Sequence, residues 1–365
     1  NFLGHLYAGI DTDHATLGAV VKTVENDDDP TPRILVQSIL EESDAFRRGL
    51  QPEDELVEFA GRPVTSVNQY KNVLGIFPKG WRLPLTYRRD NAKKEILVRL
   101  EGLLPKEEAS AGGGGRGPRP GQPPGQPPVK RSEEAMKLFK ARPGYANYFF
   151  NEQARDQLLT RAKTHGDLTG LTGPWVIEGD LERKGQRQPF KITIADQPDA
   201  DGKDSRTLVV ADIAGVIFTL DPLKANADPR ELRDPPGSGG LLMALYHWRR
   251  LVTLGGQGFE GELTHGGTEP FYPVEGKPGR PIDRRIDAGV IRTEHAAVKG
   301  KWFYASDGRL LGSETWLARN EDPCEVCFGD LKEAGGRKLP HRIDVRAGDE
   351  EYGALIVRTY RLPQK

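Results

Sequence analysis

The chain has 365 residues, with 52 Lys and Arg against 53 Asp and Glu and a formal net charge of −1. That balance leaves no global positive field of the kind that draws a protein to nucleic acid, and the length is too great for one ordinary core but suits two domains with a connector. No run approaches the ~18 apolar residues needed to cross a bilayer, and the two cysteines, Cys324 and Cys327, are too few for a disulfide framework.

The opening NFLGHLYAGI has neither an initiator Met nor the three-part pattern of a signal peptide, as would hold for either a mature product or a fragment. Short β-rich runs then dominate: GAVVKTV, RILVQSIL, DELVEFAG, RLPLTYRR and KEILVRLEG. One helical stretch interrupts them, SVNQYKNVLGI, with Val67, Tyr70, Val73 and Leu74 at helical spacing. These runs predict a small β-rich domain over residues 1–105.

Within it, SILEESDAFRRGLQPEDELVEFAGRPV, residues 38–64, resembles the signature of PDZ domains in bacterial HtrA/DegP-type trypsin-like serine proteases. The matching positions are Ser43, Asp44 and Ala45, Gly49 and Leu50, Glu53 and Asp54, then Ala60, Gly61 and Val64. Asp44 stands where the pattern has proline, Glu53 where it has glycine and Ala60 where it has asparagine. The resemblance covers about residues 5–103 and implies a domain that binds a peptide by adding a strand to an exposed sheet edge, with backbone amides of a glycine-containing loop receiving the terminal carboxylate. By resemblance Tyr7, Ala8, Gly9 and Ile10 form that loop, with Thr16–Ala19 (TLGA) as the rival placement. Val67, Lys71 and Leu74 would face the peptide groove, leaving Tyr70 and Val73 for the core; for Val67 and Leu74 core packing is the other reading.

Residues 111–128, AGGGGRGPRPGQPPGQPP, are 13 Gly or Pro out of 18. Such a segment cannot bury enough apolar surface to offset its ordering entropy, so residues 106–131 read as a linker, flexible in its Gly part and extended in its Pro part. A helical stretch follows, SEEAMKLFKARPGYANYFFNEQARDQLLTRAKTHG, broken at Pro143 and Gly144 and opened by the capping residue Ser132. From Trp175 onward strands take over, several joined by turns that supply positive φ, as in SDGR and AGGR. Residues 132–365 therefore predict an antiparallel meander with helices packed on it, an α+β arrangement.

A helix bearing Gly-Tyr-x-Asn (Gly144 to Asn147), a Trp-x-Tyr hairpin (Trp302, Tyr304) closed by Asp-Gly-Arg-Leu, and a final FGD…GGRKLPHRI meander are similar to half-barrel domains of the LolA/LppX lipoprotein-carrier type. The pattern also looks like the domain that closes some bacterial proteins built as trypsin-like protease, PDZ and half-barrel. The resemblance implies a curved antiparallel sheet around helices with an apolar cavity for acyl chains. By alternation, Trp175, Ile177, Phe190, Phe218, Leu242, Trp302 and Tyr304 are candidate cavity walls, and filling a packed core is the competing reading.

PPGSGGLLMALYHWRRL, residues 235–251, sets Ser238 in a glycine-rich setting close to the nucleophile loop of trypsin-like proteases. Pro236 and the missing aspartate depart from a trypsin-like nucleophile loop, and Pro236 also breaks the Gly-x-Ser-x-Gly frame. Leu242, Leu245, Trp248 and Leu251 fall at helical spacing after it, so Ser238 reads as a cap or pre-helix loop residue. His247 reads as a half-buried helix residue, and EHAA at 294–297 lies after Ser238, the reverse of the chymotrypsin order. Cys324 and Cys327 supply two ligands where zinc wants four, on opposite faces of a strand. Asp11 with Asp13, and Asp27–Asp29, read as solvated turns, and the glycines at 112–115 lack the lysine of a phosphate loop. No catalytic residue, metal or cofactor is expected.

The sequence thus predicts a multi-domain chain: a β-rich PDZ-like domain plus an α+β antiparallel half-barrel-like domain. The function the resemblances imply is the non-catalytic, peptide-binding region of an extracytoplasmic bacterial serine protease. Its partners would be peptide or protein C-termini and a protease domain in the same full-length protein. The alternative is a lipid or lipoprotein carrier acting through the half-barrel.

Overall fold

The computed structural model describes residues 2–12, 14–26, 29–102, 132–198, 205–223, 229–274, 280–318 and 321–364. The Gly/Pro linker, its glycines at 112–115, and Asp13, Asp27 and Asp28 lie outside the described residues. The chain divides into two compact units, Asn1–Gln153 and Ala154–Lys365. That division falls later than the boundary at residue 132 read from the sequence, because the segment around residues 144–151 pairs with the start of the chain. Ile10 forms a β-bridge with Tyr145, and Asn151 Nδ2 donates to Ala8 O at 3.0 Å.

The first unit opens with α1 (Leu3–Tyr7), β1 (Ala15–Thr16), β2 (Ala19–Asn26) and β3 (Asp29–Ile39). It continues through α2 (Asp44–Arg47), β4 (Glu55–Phe59), β5 (Arg62–Pro63), α3 (Val67–Gly75), β6 (Arg82–Arg89), β7 (Ala92–Arg99) and β8 (Glu101–Gly102). The main sheet runs β2-β3-β4-β6-β7, with β5 paired to β4, so β2 is an end strand. Its inner face buries Ile34, Val36, Leu56, Phe59, Leu83 and Leu85, the alternating apolar positions of the expected strands. The helix expected from SVNQYKNVLGI is α3, capped by Ser66, whose hydroxyl accepts from Gln69 N at 3.0 Å.

The three departures from the PDZ signature have local structural accounts. Asp44 is buried and its carboxylate accepts from Arg99 N at 2.6 Å, tying α2 to β7. Glu53 and Ala60 hold φ of 69° and 52°, a left-handed backbone that glycine and asparagine adopt most easily. After β8 come α4 (Glu133–Lys137), capped by Ser132 as expected at 3.2 Å to Ala135 N, and α5 (Tyr148–Ala162), within which the division between units falls.

The second unit holds β9 (Trp175–Arg183), β10 (Gln186–Pro198), β11 (Ser205–Ile213), β12 (Val216–Leu220), α6 (Pro229–Leu232) and α7 (Leu241–Leu254). Then follow β13 (Thr264–Phe271), β14 (Ile286–His295), β15 (Val298–Tyr304), β16 (Leu310–Trp316), β17 (Cys324–Glu333), β18 (Lys338–Ala347) and β19 (Glu350–Arg361). All eleven join one antiparallel sheet in the order β12-β11-β10-β9-β19-β18-β17-β16-β15-β14-β13. One face carries α7, of which 11 of 14 residues are buried; a helix apolar nearly all round must be enclosed. Trp248 anchors it, edge-on to Trp175 with ring centroids 5.6 Å apart and tilted against Phe328 at 5.1 Å. A separate cluster, including Phe271, Val290, Phe303 and Cys327, forms a second small core. Two-residue turns close several hairpins with both residues at positive φ, among them Lys184-Gly185, Ala214-Gly215 and Ala296-Ala297. The turns expected at SDGR and AGGR are likewise present, with Gly308 at φ 90° and Gly335 and Gly336 at 61° and 76°.

Candidate functional site

In the second unit, α7 ends at Leu254 and is followed by Gly255 and Gly256, and a half-open pocket of about 450 Å³ remains there. Its apolar wall comes from Leu159, Trp248, Leu251, Tyr304, Phe328 and Leu339. The volume lies within the ~300–1,000 Å³ range of small-molecule sites. Lys163, His165, Asp167, Arg309 and Lys338 also line it.

Of the seven cavity residues expected by alternation, Tyr304 lines this pocket. Trp175, Ile177, Phe190, Leu242 and Trp302 are buried in the main core, and Phe218 packs half-buried against it. The strand residues among them face inward as the strand period requires, but α7, which carries Leu242, fills the space in front of them. Sequence reasoning did not find Lys163, Trp248, Leu251, Phe328 or Lys338 as pocket residues.

In the first unit, the end strand β2 pairs with β3 and packs beside α3. Of the expected groove residues, Lys71 is exposed, Val67 half-buried and Leu74 buried. Tyr70 Oη donates to Ala19 O at 3.1 Å, pinning α3 to the start of β2, and burial pushes its phenol well above the usual tyrosine range. The loop entering β2 is Thr16–Ala19, where the Gly18 amide donates to Thr16 Oγ1 at 3.1 Å and Gly18 holds φ 77°.

Tyr7, Ala8, Gly9 and Ile10 sit elsewhere. The amides of Ala8, Gly9 and Ile10 donate to Gly4 O, Leu6 O and His5 O, so all three close the end of α1. A Cβ on Gly9 would lie 2.0 Å from Asn147 O, so this turn is covered by the segment that follows Tyr145. The structure therefore places Thr16–Ala19, rather than Tyr7–Ile10, at the mouth of the free sheet edge.

Ser238 is fully buried. Its hydroxyl donates to Arg233 O at 3.2 Å and accepts from Leu241 N at 3.1 Å and Gly240 N at 3.3 Å, so it organises the entry to α7. His247 is fully buried among Tyr246, Phe259 and His295; neither ring nitrogen has a hydrogen-bond partner. Burial, reinforced by His295 and Arg250, pushes it down to about 3. Cys324 belongs to the main core and Cys327 to the second one, and burial raises both thiols.

No protein-family model matches the sequence, and no characterised protein matches it in sequence. In structure, the first unit is similar to the HtrA-type protease AlgW with a decapeptide, at 18% identity over 26% of this chain and 30% of that one, TM-score 0.24. The chain thus spans about a third of that protease's length. It is also similar to the HtrA3 PDZ domain bound to a phage-derived ligand, at 21% identity over 24% of this chain and 86% of that one, TM-score 0.21. A LolA superfamily protein from Nitrosomonas europaea matches at 10% identity over 57% of this chain and 94% of that one, TM-score 0.29. The sheet orders described above make the chain multi-domain, a small β-rich unit plus a unit with helices packed on an eleven-stranded antiparallel sheet.

Proposed function

We propose that this chain is a binding protein whose second unit holds an apolar chain in the pocket beside the end of α7. The observation that carries this reading is the pocket itself: about 450 Å³, walled by Trp248, Leu251, Phe328 and Leu339, beside a core that buries Trp175, Ile177, Phe190 and Trp302. An apolar ligand there gains the burial of its own surface without displacing core side chains. The test is binding of the neutral fluorophore N-phenyl-1-naphthylamine to the full chain, compared with Val252→Trp and Leu159→Trp, both half-buried lining positions. Saturable binding lost in both variants, with far-UV circular dichroism unchanged, supports the reading; binding unaffected by either refutes it.

The free edge of β2 beside α3 favours a second, compatible role: capture of a peptide segment by strand addition, with the Thr16–Ala19 loop at its mouth. Titration of the full chain with C-terminal peptides and their amides tests it, and binding lost on amidation supports carboxylate capture. Association with a trypsin-like protease domain and an extracytoplasmic location follow from the PDZ resemblance; a longer reading frame without a His-Asp-Ser domain upstream would remove the first. Among the described residues no helix is long and apolar enough to cross a membrane. The chain is proposed to act by binding and to lack catalysis of its own.

A further inference from the structure

The polar side of the pocket is built from segments far apart in sequence that meet at one turn. The turn Lys163–Asp167 follows α5. On one side His165 Nε2 lies 3.1 Å from Asp307 O, in the turn that joins Tyr304 to Arg309. On the other side a Cβ on Gly166 would lie 3.0 Å from Arg337 Cβ and 3.3 Å from Lys338 N. Lys163, Arg309 and Lys338 are therefore gathered around a single turn at the pocket's border, all three exposed.

The carboxylates at this border are already engaged. Asp156 pairs with Arg155 at 2.8 Å, Asp167 Oδ1 accepts from Thr169 N at 3.0 Å, and Asp307 Oδ1 accepts from Arg309 N at 3.0 Å. Lys163 and Lys338, by contrast, have no ion-pair partner among the described residues. The same wall holds Tyr304, only 3% exposed. An apolar pocket with two cations at its border that have no ion-pair partner among the described residues is complementary to a molecule that is apolar at one end and anionic at the other.

Resting on the pocket reading above, we propose that the ligand is a single-chain amphiphile with an anionic head, a carboxylate or phosphate, held at Lys163 and Lys338 while its chain enters the pocket. The test uses the full chain with dodecanoate, dodecyl phosphate, dodecan-1-ol and inorganic phosphate, and the variant Lys163→Met/Lys338→Met, whose exposed positions leave the core untouched. Dodecanoate or dodecyl phosphate binding at least tenfold tighter than dodecan-1-ol at low salt is expected, with that preference abolished in the variant. Which anion binds tighter separates a fatty-acid head from a phospholipid-type head. Equal affinity of dodecanoate, dodecyl phosphate and dodecan-1-ol for the unsubstituted chain overturns head recognition while leaving the pocket reading intact. Failure of all three chains to bind overturns the pocket reading as well, and inorganic phosphate matching dodecyl phosphate shows an anion site without an amphiphile.

Discussion

His247 makes the second unit acid-sensitive in a way that one substitution should remove. The ring is fully buried, has no hydrogen-bond partner, and faces His295, with ring centroids 5.9 Å apart, and the Arg250 cation. In the folded state it stays neutral down to about pH 3, whereas in the unfolded chain it protonates near pH 6.5. A depressed folded pKa means that stability is fully present above the unfolded value and is lost as pH falls towards the folded one. Each pH unit below 6.5 costs about 1.4 kcal/mol, so the loss reaches about 3 kcal/mol at pH 4. His247→Leu removes the proton site and the two unpaired nitrogens, so at pH 7 it should be neutral or stabilising. Four of the five tryptophans, Trp175, Trp248, Trp302 and Trp316, lie in the second unit, so urea unfolding followed by tryptophan fluorescence at pH 7 and pH 4 reports on it. The unsubstituted chain should lose about 3 kcal/mol more than His247→Leu between the two pH values. The carboxylates contribute to both proteins and cancel, while His295, whose pKa burial also lowers, keeps its Arg250 and Glu260 neighbours in both. Equal losses would refute the reasoning.

Three further outcomes follow. Ala296 and Ala297 hold φ of 53° and 61° in a two-residue hairpin turn, so Ala297→Gly should stabilise the second unit by roughly 0.5–1 kcal/mol, seen as a higher urea midpoint; a lower midpoint contradicts the strain argument. Ser238 should resist labelling by a fluorophosphonate, and Ser238→Ala should cost about 1–2 kcal/mol by leaving the amides of Gly240 and Leu241 without their acceptor; labelling of Ser238 would restore the nucleophile reading. Cys324 and Cys327 should react with Ellman's reagent only on unfolding, since burial holds both as neutral thiols, and fast reaction of either in the native protein would count against their placement.

The strands and α3 were legible because period-2 and period-3.6 apolar spacing is local, and the cap at Ser132 and the pre-helix place of Ser238 because a serine before a helical run has little else to do. Which loop lies beside the free sheet edge was not. Tyr7–Ile10 and Thr16–Ala19 both place a glycine ahead of an apolar residue, and what separates them is that α1 consumes the amides of the first. The pocket was legible only at Tyr304. Alternation identifies which side chains face inward, but whether they meet space or packing depends on where α7 stops. That is set by the two glycines at 255 and 256 and by strands more than 50 residues away. Lys163 and Lys338 become neighbours of one site only through the turn at Gly166, which no local pattern announces.

The first strand of the second unit, β9, pairs with the last, β19, Leu181 opposite Leu355, and this pairing sits in the middle of the eleven-strand sheet. During synthesis the sheet therefore waits, with β9 exposing one edge, until β19 has been made, and its closing contact is among the most distant in sequence, the kind that forms slowly. A chain stopped before Glu350 would be left with two separate sheets, β12 to β9 and β18 to β13, each with a raw central edge open to pairing with another copy. Loss of residues 350–365 would thus leave the second unit open to aggregation.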